Sequence, residues 1–382
     1  MRELDVVLFG ATGFTGRLAA IELARRGAKL RWGLAGRDAG KLAELRDELV
    51  AGHGAPAELT LLTARSDDAD SLRELTTRTR VVATTVGPYD RHGDGLVAAC
   101  VEHGCDYVDI TGEPAFWQRN IARHHERAVA AGVLVVSCCG FDSIPHDLGA
   151  WVTARALADE RSAEIDGYVR ITGAPSGGTW ASLIHALSQL RHAKPAAPKG
   201  ERTGAGSRKP MRPHFEPAVQ QWVVPFPSVD PLVVKRSLRF CADVGPDVQY
   251  RHWLQTKTLA RTASLLGGVA GIALLAQLGP TRRWLLSKIP SGDGPSEPER
   301  AKSKFTATFV GRGASGRTVR TTVSGRDPGY GLTAVMLVES ARVLVEDRDR
   351  LPHRGGVLTP ASALHEPLLA RLRGAGLEID VA

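Results

Sequence analysis

The start of the chain constrains its fold more than any other stretch. Leu4–Phe9 is an apolar run interrupted only by Asp5, and "GATGFTG" after it sets glycines at 10, 13 and 16 just ahead of a helical pattern over Gly16–Arg26. A strand that is apolar on both faces has to be covered by helices above and below it. The pattern then recurs. Apolar runs at Leu30–Ala35, Leu59–Thr63, Val81–Val86, Tyr107–Ile110 and Val133–Val136 alternate with helical stretches at Ala39–Val50, Gly95–His103 and Ala115–Ala131. Strands alternating with helices give a parallel, doubly wound sheet, so an α/β fold with an N-terminal Rossmann domain is expected over residues 1–150.

At 382 residues the chain is too long for one compact core, and a second domain of α+β character is expected over residues 151–329. Glu164–Thr172 reads as its first strand. A turn at Ser176–Thr179, a helix to about Leu190 and a Pro-, Gly- and cation-rich loop over 192–213 follow. Lys304–Val310 and Thr318–Ser324 read as a hairpin, with helices at Leu332–Val345 and Ala361–Leu372 after it.

The glycine spacing at a strand-to-helix turn suits a dinucleotide pyrophosphate. The first glycine makes a tight turn, the second lets backbone approach the phosphates, and the third lets helix pack on strand. The helix N-terminus supplies free N–H groups and the positive end of its dipole. Gly10, Thr12, Gly13, Phe14, Thr15 and Gly16 are the expected cradle. The next strand ends "LAGRDAGK", where Arg37 and Lys41 suit a 2′-phosphate and so NADP(H), while Asp38 reads as a helix N-cap. Ser66 and Asp67 fall where adenine is met, and Val86, Gly87, Pro88 and Tyr89 where the nicotinamide half should lie.

Two further strand ends, "DITGEP" and "SCCGFDSIPHD", converge on the same rim and bring Asp109, Thr111, Glu113, Asp142, Ser143, His146 and Asp147 with them. Hydride transfer needs the acceptor placed and a proton donor or polarising group nearby. Tyr89, Asp142 and Ser143 are the candidates to act. Equally plain structural roles exist: Tyr89 as packing, Ser143 as a helix cap with Asp147 in the first turn. Cys138 and Cys139 offer a thiolate or a buried sheet end. No Tyr-x-x-x-Lys pair occurs, and no metal-ligating spacing stands out.

The formal charge of +8 fits a phosphate-bearing cofactor, an acidic carrier or an acidic lipid surface, and no nucleic-acid signature accompanies it. Five cysteines without a C-x-x-C pair, and a strand that starts within a few residues of Met1, point to the cytoplasm. Thr262–Thr281 carries no charge and lies between Arg261 and Arg282. Three roles are open to it: a buried or dimer-forming helix, a peripheral membrane or acyl-binding element, or a bilayer span.

Taken together, "GATGFTG", "LAGR", "VGPYDRHG", "DYVDITGE", "GFDSIPHDLG", "SGGTWAS", "GPSEPER" and "GGVLTPA" resemble the saccharopine dehydrogenase-like oxidoreductases, and more closely the branch that includes trans-acting enoyl reductases. The resemblance implies a Rossmann domain binding NADP(H), a second domain with an extra sheet, and C-terminal helices, about 330–382, that return to the first domain. It also implies reduction of an enoyl double bond in a lipid or polyketide thioester, on a carrier protein or synthase. An imine or saccharopine-type reductase, a thiol-dependent semialdehyde dehydrogenase and a non-catalytic, membrane-associated dinucleotide-binding protein are the alternatives.

Overall fold

The structure is a computed structural model that describes residues 2–172, 180, 183, 184, 187, 188, 211–245, 247–288 and 296–382. The predicted turn at 176–179 and nearly all of the 192–213 loop lie outside the described residues. In chain order the strands are β1 (Leu4–Phe9), β2 (Trp32–Gly36), β3 (Thr60–Thr63), β4 (Thr79–Thr84), β5 (Asp106–Asp109), β6 (Leu134–Val136), β7 (Ala163–Thr172), β8 (His214–Glu216), β9 (Gln221–Pro225), β10 (Val248–Thr256), β11 (Lys304–Gly313), β12 (Thr318–Arg326), β13 (Gly356–Leu358) and β14 (Glu378–Val381).

The first sheet is parallel, in the order β13-β6-β5-β4-β1-β2-β3. The order reverses beside β1, which is the Rossmann arrangement and puts a ligand crevice at the carboxyl ends of β1 and β4. Every residue of β1 is buried, as a strand covered on both faces requires. The sequence leads one to expect six strands, and the seventh comes from residues 356–358. The helix Gly331–Glu346 packs on the helix Phe14–Arg26 and on β4 and β5, and β13 then pairs with β6 in register Val357↔Val135.

The second sheet is mixed, in the order β14-β12-β11-β7-β10-β9-β8. Only β7 and β10 run parallel, with helix Asp230–Phe240 before β10, and the remaining pairs are antiparallel. Its last strand, β14, comes from the C-terminus.

The first crossing between the two sheets is made by a buried helix. Ile144–Arg155 leaves the carboxyl end of β6 and runs on under β11 and β12, buried from Ile144 to Ala154. The helix is buried on all sides although it carries His146, Asp147 and Thr153, and the Phe309 ring packs where a side chain on Gly149 would otherwise stand. Its buried Asp147 accepts a hydrogen bond from the Ala361 N–H at 2.8 Å, at the start of the helix Pro360–Gly374. The chain therefore passes from one sheet to the other within a continuous helix.

The apolar stretch after residue 258 does not form a buried core helix. It is the helix Leu259–Ala276, in which Thr262 and Ala276 alone are buried. By length and composition it is apolar enough to cross a membrane, with mean hydropathy 1.6.

Candidate functional site: the rim of the parallel sheet

The glycine loop closes on itself as a phosphate cradle does. Gly10 has φ +87°, a backbone state that side chains rarely adopt, and a Cβ there would lie 2.8 Å from Val86 Cγ2. A Cβ on Gly16 would lie 2.1 Å from the Gly10 carbonyl oxygen, so the helix can start this close to β1 only with glycine. The Gly13 N–H donates to the Gly10 carbonyl at 3.1 Å, and no side chain caps the helix Phe14–Arg26. Its leading N–H groups are left for a ligand. Thr12 and Gly13 are exposed at the mouth, while Phe14 packs edge-on against Tyr330 at 4.8 Å and Thr15 is half-buried.

At the end of β2 the Asp38 carboxylate accepts the Lys41 backbone N–H at 3.1 Å, the N-cap role expected of it. Arg37 and Lys41 are exposed. A carboxylate committed to its own helix is no rival to Arg37 for a phosphate. Beyond β3, Asp67 pairs with Arg65 at 3.1 Å, which lowers its pKa, and the Ser66 hydroxyl meets His92 Nδ1 at 3.1 Å. The loop, the free helix N-terminus and the exposed cations all fit an NADP(H) molecule lying along the carboxyl ends of β1 to β4.

Tyr89 is turned away from the cleft. It is buried, its hydroxyl donates to the Thr84 carbonyl at 3.1 Å and accepts from the Ile110 N–H at 3.4 Å, and its ring lies 5.7 Å from Phe116. Burial, together with the charge of Asp109, pushes the phenol well above its ordinary value. A hydroxyl engaged on both sides serves as a post between β4 and β5, so the expectation of a proton donor gives way to the packing role. Glu113 holds the same turn, its carboxylate accepting the Tyr89 and Asp90 N–H groups at 3.0 and 2.8 Å. Val86, Gly87 and Pro88 precede this turn, with the Val86 N–H on Thr84 Oγ1 at 3.2 Å.

Asp109 is structural as well. Its carboxylate accepts the Tyr107 and Ser137 hydroxyls and the Thr111 and Cys138 N–H groups, at 2.8 to 3.0 Å. Burial lifts it to about 6, against the pull of those four donors. Both neighbouring thiols are buried, and burial pushes them up, away from the thiolate that nucleophilic attack requires.

Ser143 and Asp142 lie next to this scaffold, with the Ser143 side chain against the Cys138 thiol. The Ser143 side chain does not cap its helix. It reaches to Asp230 Oδ1 at 3.4 Å, and Asp230 Oδ2 receives the Ser228 hydroxyl at 2.5 Å and lies 3.3 Å from His252 Nε2. His252 Nδ1 in turn meets the Tyr250 hydroxyl at 2.7 Å, and its ring lies 4.9 Å from that of His146. Burial works to raise Asp230, but His146, His252 and Ser228 more than offset it and keep the carboxylate charged. Burial drives His146 down to about 4, against the pull of the Asp230 charge. Asp142 is exposed at the surface, while its carboxyl group is packed among neighbouring atoms. That crowding, with the Asp230 charge, lifts it to about 7, and a Cβ on the facing Gly112 would sit 3.4 Å from Asp142 Oδ2.

Asp230 and His252 were not among the residues picked out by spacing. They come from a helix and a strand of the second sheet's domain and join the rim only through the fold. One ligand atom each from His146, Asp230 and His252 falls within 4.8 Å of the others, close enough for a cation. Asp230 accepts from Ser143 and Ser228 and lies 3.3 Å from His252 Nε2, while His146 Nδ1 and His252 Nε2 are buried without a hydrogen-bond partner.

Known proteins share both the fold and the sequence. The family described as saccharopine dehydrogenase NADP binding domain matches residues 6–136. A trans-acting enoyl reductase of Mycobacterium bovis is 33% identical, with 98% of this chain and 97% of the relative covered. The mouse saccharopine dehydrogenase-like oxidoreductase is 31% identical, with 100% and 97% covered. Among solved structures, the apo L-Glu-forming saccharopine dehydrogenase of Saccharomyces cerevisiae superposes with TM-score 0.58 at 16% identity, covering 99% of this chain and 100% of that one. The chain belongs to the saccharopine dehydrogenase-like oxidoreductases, and its first domain binds NADP(H).

Proposed function

We propose that this oxidoreductase uses NADPH to reduce the double bond of an enoyl thioester, with the acyl or polyketide group delivered by a carrier protein or synthase. One observation carries the reading: Asp142, held near neutrality, and Ser143, tied to a charged Asp230, stand together where β6 delivers the chain to the second domain. The name of the mycobacterial relative, a trans-acting enoyl reductase, supports an enoyl substrate. When bound, NADPH supplies a hydride to the β-carbon. The electron pair displaced to the α-carbon then takes one proton, and Asp142 is the group able to give it near pH 7. Ser143, anchored by Asp230, orients the acceptor. Arg37 and Lys41 take the 2′-phosphate, and the uncapped N-terminus at Gly13 takes the pyrophosphate.

The test is NADPH consumption by the purified protein with a long-chain 2-enoyl thioester, with NADH as the control. Turnover with NADPH alone supports the reading. Turnover instead with an amine and a 2-oxo acid would move the protein to imine reduction, and NADPH binding without any turnover would leave a binding protein.

A further inference from the structure

The helix Leu259–Ala276 and the helix Gly279–Lys288 after it turn large apolar side chains toward solvent. Leu259 is 57% exposed, Leu266 46%, Leu274 69%, Leu278 60%, Trp284 52% and Leu286 37%. A patch of this kind on a protein surface marks something that covers it. The opposite face of the pair is fixed to its own domain. Ala276 and Leu285 pack with Ile184, Trp180 Nε1 donates to the Leu285 carbonyl at 2.8 Å, Gln277 Nε2 donates to the Leu187 carbonyl at 2.7 Å, and Thr262 meets Thr256 at 2.6 Å.

The charge within this segment of the sequence has one sign. Between Asp247 and Asp293 the sequence holds no aspartate or glutamate, while Lys257, Arg261, Arg282, Arg283 and Lys288 flank the apolar residues. Lys288 Nζ lies 4.7 Å over the Trp284 ring, a cation and an aromatic together at the edge of the apolar face. Exposed leucines, an exposed tryptophan under a lysine and no charges but cations within the segment suit a lipid interface with anionic headgroups. A second copy of the chain fits less well, because it would set these cations against their own kind with no carboxylate from the segment between them. A bilayer span fits less well too, since the face carrying Thr262 and Ala276 is packed on protein and cannot also meet lipid.

We infer that the helix pair 259–288 is a docking element that lays this enzyme on an anionic bilayer surface, with Leu274, Leu278 and Trp284 entering the headgroup boundary. The inference rests on the exposed face and its charge, and stands apart from the enoyl substrate proposed above. It gives the enzyme a place where long acyl groups are found.

The test is flotation of the full-length protein with vesicles of phosphatidylcholine alone and of phosphatidylcholine with phosphatidylglycerol. The protein should float with the anionic vesicles, less with the neutral ones, and less as salt rises. Removing one cation, as in Arg282→Ala or Arg283→Ala, should weaken partition about fivefold. Leu274→Glu with Leu278→Glu should abolish flotation. Both positions are exposed, so NADPH binding and the melting temperature should hold and would report any misfolding. Flotation that survives the double glutamate variant, or is absent in the wild type, overturns the inference. So does a concentration-dependent dimer that the same variant dissociates, which would assign the face to a second copy.

Discussion

The Ser143 hydroxyl lies 3.4 Å from Asp230 Oδ1, with both side chains buried at the junction of the two sheets. Ser143 comes from the end of the Rossmann sheet and Asp230 from the helix that precedes β10, so the contact ties the rim of one sheet to the domain of the other. Asp230 keeps Ser228 and His252 when the serine hydroxyl is lost, which spares it an unpaired charge. Ser143→Ala should therefore cost no more than about 1 kcal/mol of stability while lowering kcat about ten- to a hundredfold through a misplaced acceptor. Initial rates and denaturant melts on the same preparation check this. Full activity in the variant removes Ser143 from the machinery.

Asp142 should impose an alkaline limb on turnover. Its carboxyl is pushed up to about 7 by crowding and by the nearby charge of Asp230, so the proton it would give is present below that pH and lost as pH rises through it. Asp142→Asn cannot give a proton. It should lower kcat by about 10²- to 10⁴-fold, flatten the profile near neutrality and leave NADPH affinity unchanged. A variant that keeps the wild-type limb would show that another group titrates there.

Tyr89→Phe separates a post from a proton donor. Removing the phenol leaves the Thr84 carbonyl and the Ile110 N–H without that partner in a buried site. A loss of about 1 to 3 kcal/mol in stability is expected, with turnover within a few-fold of wild type. A large loss of kcat at unchanged melting temperature is the result that would return Tyr89 to the chemistry.

The sequence was most informative where one physical force dominates. The first six strands read correctly to within about two residues because parallel strands are apolar on both faces, and Asp38 read as a cap because its position fits few other uses. In the second sheet the signal is mixed. On β10 and β7, Arg251 and Trp253 Nε1 both meet Asp166, at 2.7 and 2.9 Å, so charged and polar groups interrupt the apolar alternation. That strand, and the helix Asp230–Phe240 before it, were missed. The rim was half legible: Asp142 and Ser143 follow a strand end, but Asp230 and His252 join them only after the domains pack. A faint signal existed in Tyr250 and His252, which share one face of a strand and are both buried. The exposure of Leu259–Ala276 was not legible, because hydropathy states what a helix prefers and not which of its faces the fold has already covered.

Arg37 is the residue that should choose between the two nicotinamide cofactors. It is exposed at the carboxyl end of β2, beside a loop whose Thr12 Oγ1 would lie 3.9 Å from a Cβ on Gly36. The neighbouring Asp38 has one carboxylate oxygen committed to the Lys41 N–H as a helix cap. A guanidinium bound to a 2′-phosphate contributes a charge-assisted hydrogen bond worth about 1.5 to 3 kcal/mol. Arg37→Ala should therefore weaken NADPH about ten- to a hundredfold and leave NADH, which lacks that phosphate, nearly unchanged. Titration of both cofactors by fluorescence or calorimetry decides it. An equal loss for the two would mean that Arg37 shapes the loop as a whole, and the phosphate contact would then have to come from Lys41, where the same pair of titrations on Lys41→Ala would find it.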